Sequence, residues 1–272
     1  MTQRIRNTRT ALLAAAFAAA LFGLSQASLA APGAGTAAQA EPGGPAASDA
    51  AAKLSHKQFR NVKVTVDNGI ATLTGTADLY EYKADAEKRV RKAKGVTAVR
   101  NLIEVAGPSV PDSQLQAKLA EELEYDQVGY GNVFDAISVK VQNGVATLGG
   151  HALNYPARDS ALGLVGTCPG VKDVVDEIEV DPASFMDDRI RMAVAHAIYG
   201  YAALNKYAMD PAKTIRISVQ NGHVELYGVV DTQGDKDLAY IRANGVPGVF
   251  SVKNYLQVAN QPSEAQKPAA AQ

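Results

Sequence analysis

With 272 residues, the chain has room for one large domain or several small ones. Its 27 Lys+Arg balance 28 Asp+Glu, so no overall charge points to nucleic acid. A lone cysteine, Cys168, excludes an intramolecular disulfide and a cysteine-built metal cluster. In chain order, Arg4, Arg6 and Arg9 precede a short apolar run, Ala11 to Leu24, and Ser28-Leu29-Ala30 puts small residues where a signal peptidase reads. Residues 1–30 are therefore expected to be a cleavable secretory signal, and the protein to be soluble and periplasmic. The run is too short for a good membrane span. Its removal takes three basic residues and no acid, leaving a net charge of −4. Residues 31–50, rich in Pro, Ala and Gly, are expected to be a disordered linker, and 259–272 a disordered tail.

Between them one pattern is written three times: VKVTVDNGIATLTG, ISVKVQNGVATLGG and IRISVQNGHVELYG. Asn68-Gly69, Asn143-Gly144 and Asn221-Gly222 each divide two alternating apolar/polar runs, which predicts a tight hairpin whose turn needs positive φ at both residues. Six residues after each turn glycine comes another, Gly75, Gly150 and Gly228, expected to mark a bend or a close backbone approach. An apolar stripe at helical spacing follows: Leu79, Tyr82, Ala86, Val90 and Ala93, then Ala157, Ala161, Val165 and Cys168, then the weaker Ala239, Ala243 and Val246. Gly95, Gly170 and Gly248 stop these helices, and a last strand runs through 96–105, 171–180 and 249–258. Helices over 112–123 and 187–201 precede the second and third hairpins, with Asp112 and Asp187 suited to capping. A shorter helix over 48–59 is the counterpart in the first copy. The expected fold is α+β: three tandem α-β-β-α-β domains over 51–107, 112–182 and 183–258, each a three-stranded mixed sheet covered by two helices.

The string V-x-V-x-N-G-x-A-T-L-x-G, then a helix, then G-V-x-x-V, resembles the BON domain of bacterial osmotic-shock and nodulation proteins. It is carried by Val64, Val66, Asn68, Gly69, Gly75, Gly95, Val96, Val99 and their equivalents. The third copy departs, with His223 and Glu225 in the hairpin and a polar helix start, Thr232-Gln233-Gly234-Asp235. The resemblance implies a non-catalytic envelope domain, used in tandem at phospholipid surfaces, in osmotic protection and in outer-membrane integrity.

Residues able to do chemistry are scattered. His56, His151, His196 and His223 show no metal-ligand spacing and are read as structural or surface residues, so no metal or cofactor is expected. Gly129-Tyr130-Gly131 lacks the third glycine of a phosphate loop. Cys168 falls on a core-facing position. Asp173, Asp176, Glu177 and Glu179 read as a solvated strand edge. Tyr125, Tyr130, Tyr199, Tyr201 and Tyr207 read mainly as cover for the sheets.

Charge separates the copies: +5 over 51–107, −8 over 112–182 and +1 over 183–258. The densest basic cluster is Lys88, Arg89, Arg91, Lys92 and Lys94, placed on the second helix of copy one and facing solvent. Such a run ordinarily just solvates a helix. Its functional reading is a contact for anionic phospholipid or the membrane surface. The alternative is a scaffold whose acidic second copy docks an envelope protein or cell-wall partner.

Overall fold

The computed structural model describes residues 44–125 and 131–259. The expected signal, residues 31–43 of the linker, Tyr130 and the tail from 260 lie outside them. Each repeat is built as its pattern dictates. The first contains α1 (Pro45–Lys53), β1 (Val62–Asp67), β2 (Ile70–Ala77), α2 (Tyr80–Val90) and β3 (Ala98–Val105). The second contains α3 (Asp112–Tyr125), a short α4 (Gly131–Phe134), β4 (Ala136–Gln142), β5 (Val145–Ala152), α5 (Tyr155–Thr167) and β6 (Asp173–Val180). The third contains α6 (Phe185–Tyr199), β7 (Arg216–Gln220), β8 (His223–Tyr227), β9 (Val229–Val230), α7 (Gln233–Asn244), β10 (Ser251–Asn254) and β11 (Gln257–Val258).

The turns are type I′: Asn68 and Gly69 have φ of 47° and 80°, Asn143 and Gly144 54° and 78°, Asn221 and Gly222 50° and 77°. Each hairpin is antiparallel, and its second strand pairs in parallel with the strand after the helix, giving a mixed sheet in all three repeats. The parallel partners are 28 residues apart every time: Ile70 with Ala98, Val145 with Asp173, His223 with Ser251. In the third repeat the strands break near Gly228, yet β9 and β11 keep that offset, Val229 pairing with Gln257. Gly75 and Gly150 answer the question of the second glycine. A Cβ there would lie 2.0 Å from Asn61 O and 2.1 Å from Ala136 O, so the cause is close backbone approach.

Three apolar cores form between sheet and helices. Leu115, Leu119 and Leu123 of α3 pack with Ala146, Leu148, Ala161, Val165 and Cys168. Ile190, Val194 and Ile198 of α6 pack with Ile217, Val224, Leu226, Ala239 and Ala243. In the first repeat Ala50, Leu54 and Phe59 meet Leu73, Ala86, Val90 and Ile103. The cores are not closed to each other. Tyr80 of the first repeat packs on the second core, and Phe134 of the second, 3% exposed, belongs to the third.

Several expectations change. The 31–50 linker ends early, because α1 begins at Pro45; proline is preorganised for a first helical position, and Ala50 is fully buried. The region expected as one helix over 48–59 is α1 followed by a separate 3-10 turn, Lys57–Phe59. The helix of the basic cluster stops at Val90, so Arg91, Lys92 and Lys94 lie beyond it. Bonds from Lys92 N–H to Arg89 O and Ala93 N–H to Val90 O tighten the chain there, ahead of Gly95 at φ 82°. Asp187 does not cap α6. Ser184 does, accepting from Asp187 N–H.

Candidate functional site

The acids at the two helix starts act across the fold instead. Asn143 N–H and Gly144 N–H donate to Asp112 Oδ2 and Oδ1 at 2.6 and 2.9 Å. Asn221 N–H and Gly222 N–H donate to Asp187 in the same way at 3.0 and 2.8 Å. Each carboxylate thus holds both donors of a type I′ turn and fixes the first helix against its hairpin.

The five cations of the sequence cluster are not one patch. Arg89 lies 5.5 Å over the buried Phe59 ring and pairs with Asp85 at 2.8 Å, closing the first core. Arg91 pairs with Glu87 one turn back. The side-chain ammonium groups of Lys88 and Lys92 make no hydrogen bond or ion pair among the described residues. Lys94 contributes its backbone N–H to Asp49, 2.8 Å away. Lys88, Arg91 and Lys92 line a groove of about 550 Å³, together with Tyr80, Lys83, Ala84, Glu87, Asn101 and, from the second repeat, Asp173. Lys83 Nζ is 3.7 Å from Asp173 and 5.9 Å from the Tyr80 ring centre. Burial and the Asp173 carboxylate push the Tyr80 hydroxyl above its ordinary value. The groove therefore belongs to the junction of two repeats, and only its basic half was visible as a run of Lys and Arg.

A second polar assembly joins the second and third repeats, and the sequence offered no local signal for it. Asp181, 3% exposed, accepts from Ser218 Oγ at 3.1 Å, Gln220 Nε2 at 3.0 Å and Arg191 Nη2 at 3.3 Å. Arg191, 2% exposed, also donates to Val219 O and pairs with Asp188. His151 stands between the Asp181 and Glu225 carboxylates, at 3.4 and 3.6 Å. The bond to Asp181 raises the His151 pKa against the opposing effect of burial. Burial alone would raise Asp181, but bonds from His151, Gln220 and Ser218 bring it below its usual range. Every group but Arg191 Nε is engaged, so this is a joint between domains rather than an open site.

The remaining candidates resolve simply. His56, His196 and His223 are exposed. Cys168 is 3% exposed, and burial pushes its thiol up, away from the reactive thiolate. β6 is an edge strand, with Asp176, Glu177 and Glu179 exposed. Tyr207 is fully buried and Tyr199 donates to Ile215 O, both serving the third core; Tyr125 reaches Asp210 at 3.3 Å. Among the described residues no group of three His, Cys, Asp or Glu could hold a metal ion, and no helix is long and apolar enough to cross a membrane.

Comparison with known proteins gives the fold a family. The BON domain model matches residues 47–107, 111–182 and 201–260. Osmotically-inducible protein Y of Escherichia coli (strain K12) is 28% identical over 163 residues, covering 56% of this chain and 74% of the relative. Two structures of CdsD, a structural protein of the Type III secretion system of Chlamydia trachomatis, align at 14% and 15% identity over 78% of this chain and 96% and 92% of theirs. At TM-scores of 0.22 they say nothing further about the fold.

Proposed function

Because the chain belongs to the BON domain family, and because its first repeat gathers uncompensated cations in one groove, we propose a non-catalytic, exported envelope protein that binds an anionic phospholipid surface. The lining of the groove carries this reading: Lys88 and Lys92 are free of counter-ions, and Arg91 has only an i,i+4 partner of about 0.3–0.5 kcal/mol. Export is supported by the basic-apolar-small pattern of residues 1–30. A role in osmotic stress is supported by the name of the Escherichia coli relative, and a role in envelope integrity is proposed with it. At about 1 kcal/mol per cation near an anionic surface, Lys88, Arg91 and Lys92 supply about 3 kcal/mol. That is a dissociation constant on the order of several millimolar, weak and reversible.

A second reading has its own observation. Glu177 and Glu179 are exposed on an edge strand with no ion pair among the described residues, which suits a basic protein or cell-wall partner docked on the second repeat.

Two variants of equal charge separate the cases: K88Q/K92Q in the groove and R89Q/K94Q outside it. Vesicle binding is measured for each, with and without anionic lipid. The groove reading expects K88Q/K92Q to lose about 30-fold, the equivalent of two cations, and R89Q/K94Q clearly less. Equal losses would make the attraction diffuse and remove the groove from it.

A further inference from the structure

The cationic groove does not end on protein. Tyr80 and Ala84, which line it, also line a smaller cleft of about 260 Å³. Its other walls are Glu81 of the first repeat and Leu162, Gly163, Gly166, Val174 and Asp176 of the second. One side of this junction is charged and the other is apolar, and both open to solvent.

The two glycines of α5 differ in their reasons. A Cβ at Gly166 would lie 3.2 Å from Tyr80 Cδ1, tighter than ordinary contact, so the packing of α2 on α5 favours a small residue there. A Cβ at Gly163 would meet nothing within 4 Å. Glycine inside a helix destabilises it relative to alanine. No contact in the protein accounts for Gly163, which lines the cleft without a side chain.

We infer that the junction of the first two repeats is a site for a single anionic amphiphile with one acyl chain. Lys88, Arg91 and Lys92 take the head group, and the chain lies along Tyr80, Ala84, Leu162, Gly163 and Val174. The charge of the groove selects the anion, and the apolar cleft beside it selects a chain over free phosphate. The inference rests on the phospholipid reading above and adds a molecule to what that reading treats as a surface. It also places Asp173 and the Lys83–Asp173 pair at the edge of the site, which ties occupancy to the contact between the repeats.

The test uses the whole chain and dodecyl phosphate held below its micelle concentration, with inorganic phosphate and neutral dodecyl maltoside alongside, read by calorimetry or NMR. Burying even two methylenes is a gain of more than about tenfold, so dodecyl phosphate is expected to bind at least that much more tightly than phosphate. K88Q/K92Q should lose that binding. G163L, which fills the cleft, should abolish the gain of the chain, while G163A, which stabilises the helix without filling the cleft, should keep it. Vesicle binding, measured on the same samples, should be unchanged in G163L.

Dodecyl phosphate binding no better than phosphate, or a gain that survives G163L, overturns the inference. Vesicle binding that persists alongside either result leaves the surface reading standing. Loss of vesicle binding in the intact chain overturns that reading separately. Dodecyl maltoside binding as well as dodecyl phosphate removes the head-group role of the cations and overturns the site as stated.

Discussion

Asp187 accepts from the backbone of a turn 34 residues downstream, and Asp112 does the same at 31. Asp187 is 2% exposed, so replacing it with alanine strands two donors in a buried place. D187A is expected to cost about 2–3 kcal/mol in urea unfolding, and D187N less, because one acceptor remains. Asp112 is less buried, so D112A should cost less than D187A. His151 sets a pH dependence. Its folded pKa lies above its unfolded value of about 6.5, so it stabilises the joint fully below that pH and loses this as pH rises through the folded pKa. Asp181 and Glu225 are lowered, so their contribution is present above about 4 and is lost as pH falls through their folded values. The contribution of this joint should therefore be greatest between about pH 4.5 and 6.5 and decline as pH rises above that window. H151Q should flatten the decline on the alkaline side while leaving the acid side in place.

At the scale of elements, what the sequence shows and what it hides follow from locality. The Asn-Gly turns, the glycine at the close approach and the stripe of α5 are decided within a dozen residues, and each stands where its pattern puts it. The start of α1 was hidden because Ala and Pro resemble a linker by composition, and burial of Ala50 against the first core gives the segment its reason to be helical. The groove was half visible. Lys88 and Lys92 stand in a plain basic run, but Asp173 and the cleft of Leu162, Gly163 and Val174 arrive from a different repeat. The Asp181–Arg191–His151 joint was invisible, since its members lie on β5, after β6 and on α6. The contact of α2 with α5 should behave as a separable unit. Tyr80 is half-buried on the second core, so Y80A is expected to cost about 1–2 kcal/mol and to detach the first repeat. Calorimetry should then resolve an early transition for that repeat, absent in the intact chain.

Across the whole molecule, three copies of one scaffold carry different surfaces and lend each other core residues. Phe134 is the clearest loan: it lies in the second repeat and packs with Ile215, Leu204 and Val194 of the third. F134A is expected to cost about 3–5 kcal/mol, and hydrogen exchange should lose protection in the third repeat and in the residues that join it to the second, with the first repeat unchanged. Coupled repeats also hold the basic first domain and the acidic second one together, so that on the lipid reading proposed above only the first repeat is suited to face an anionic surface. The measurement that tests this account most directly is binding of the intact chain to vesicles as anionic lipid content and salt are varied. The expected result is binding that requires anionic lipid, has a dissociation constant on the order of a few millimolar accessible lipid, and weakens as salt rises. Equal binding to zwitterionic vesicles, or none at about 30 mM lipid, well above the expected constant, would contradict it and turn attention to a partner for the acidic edge of the second repeat.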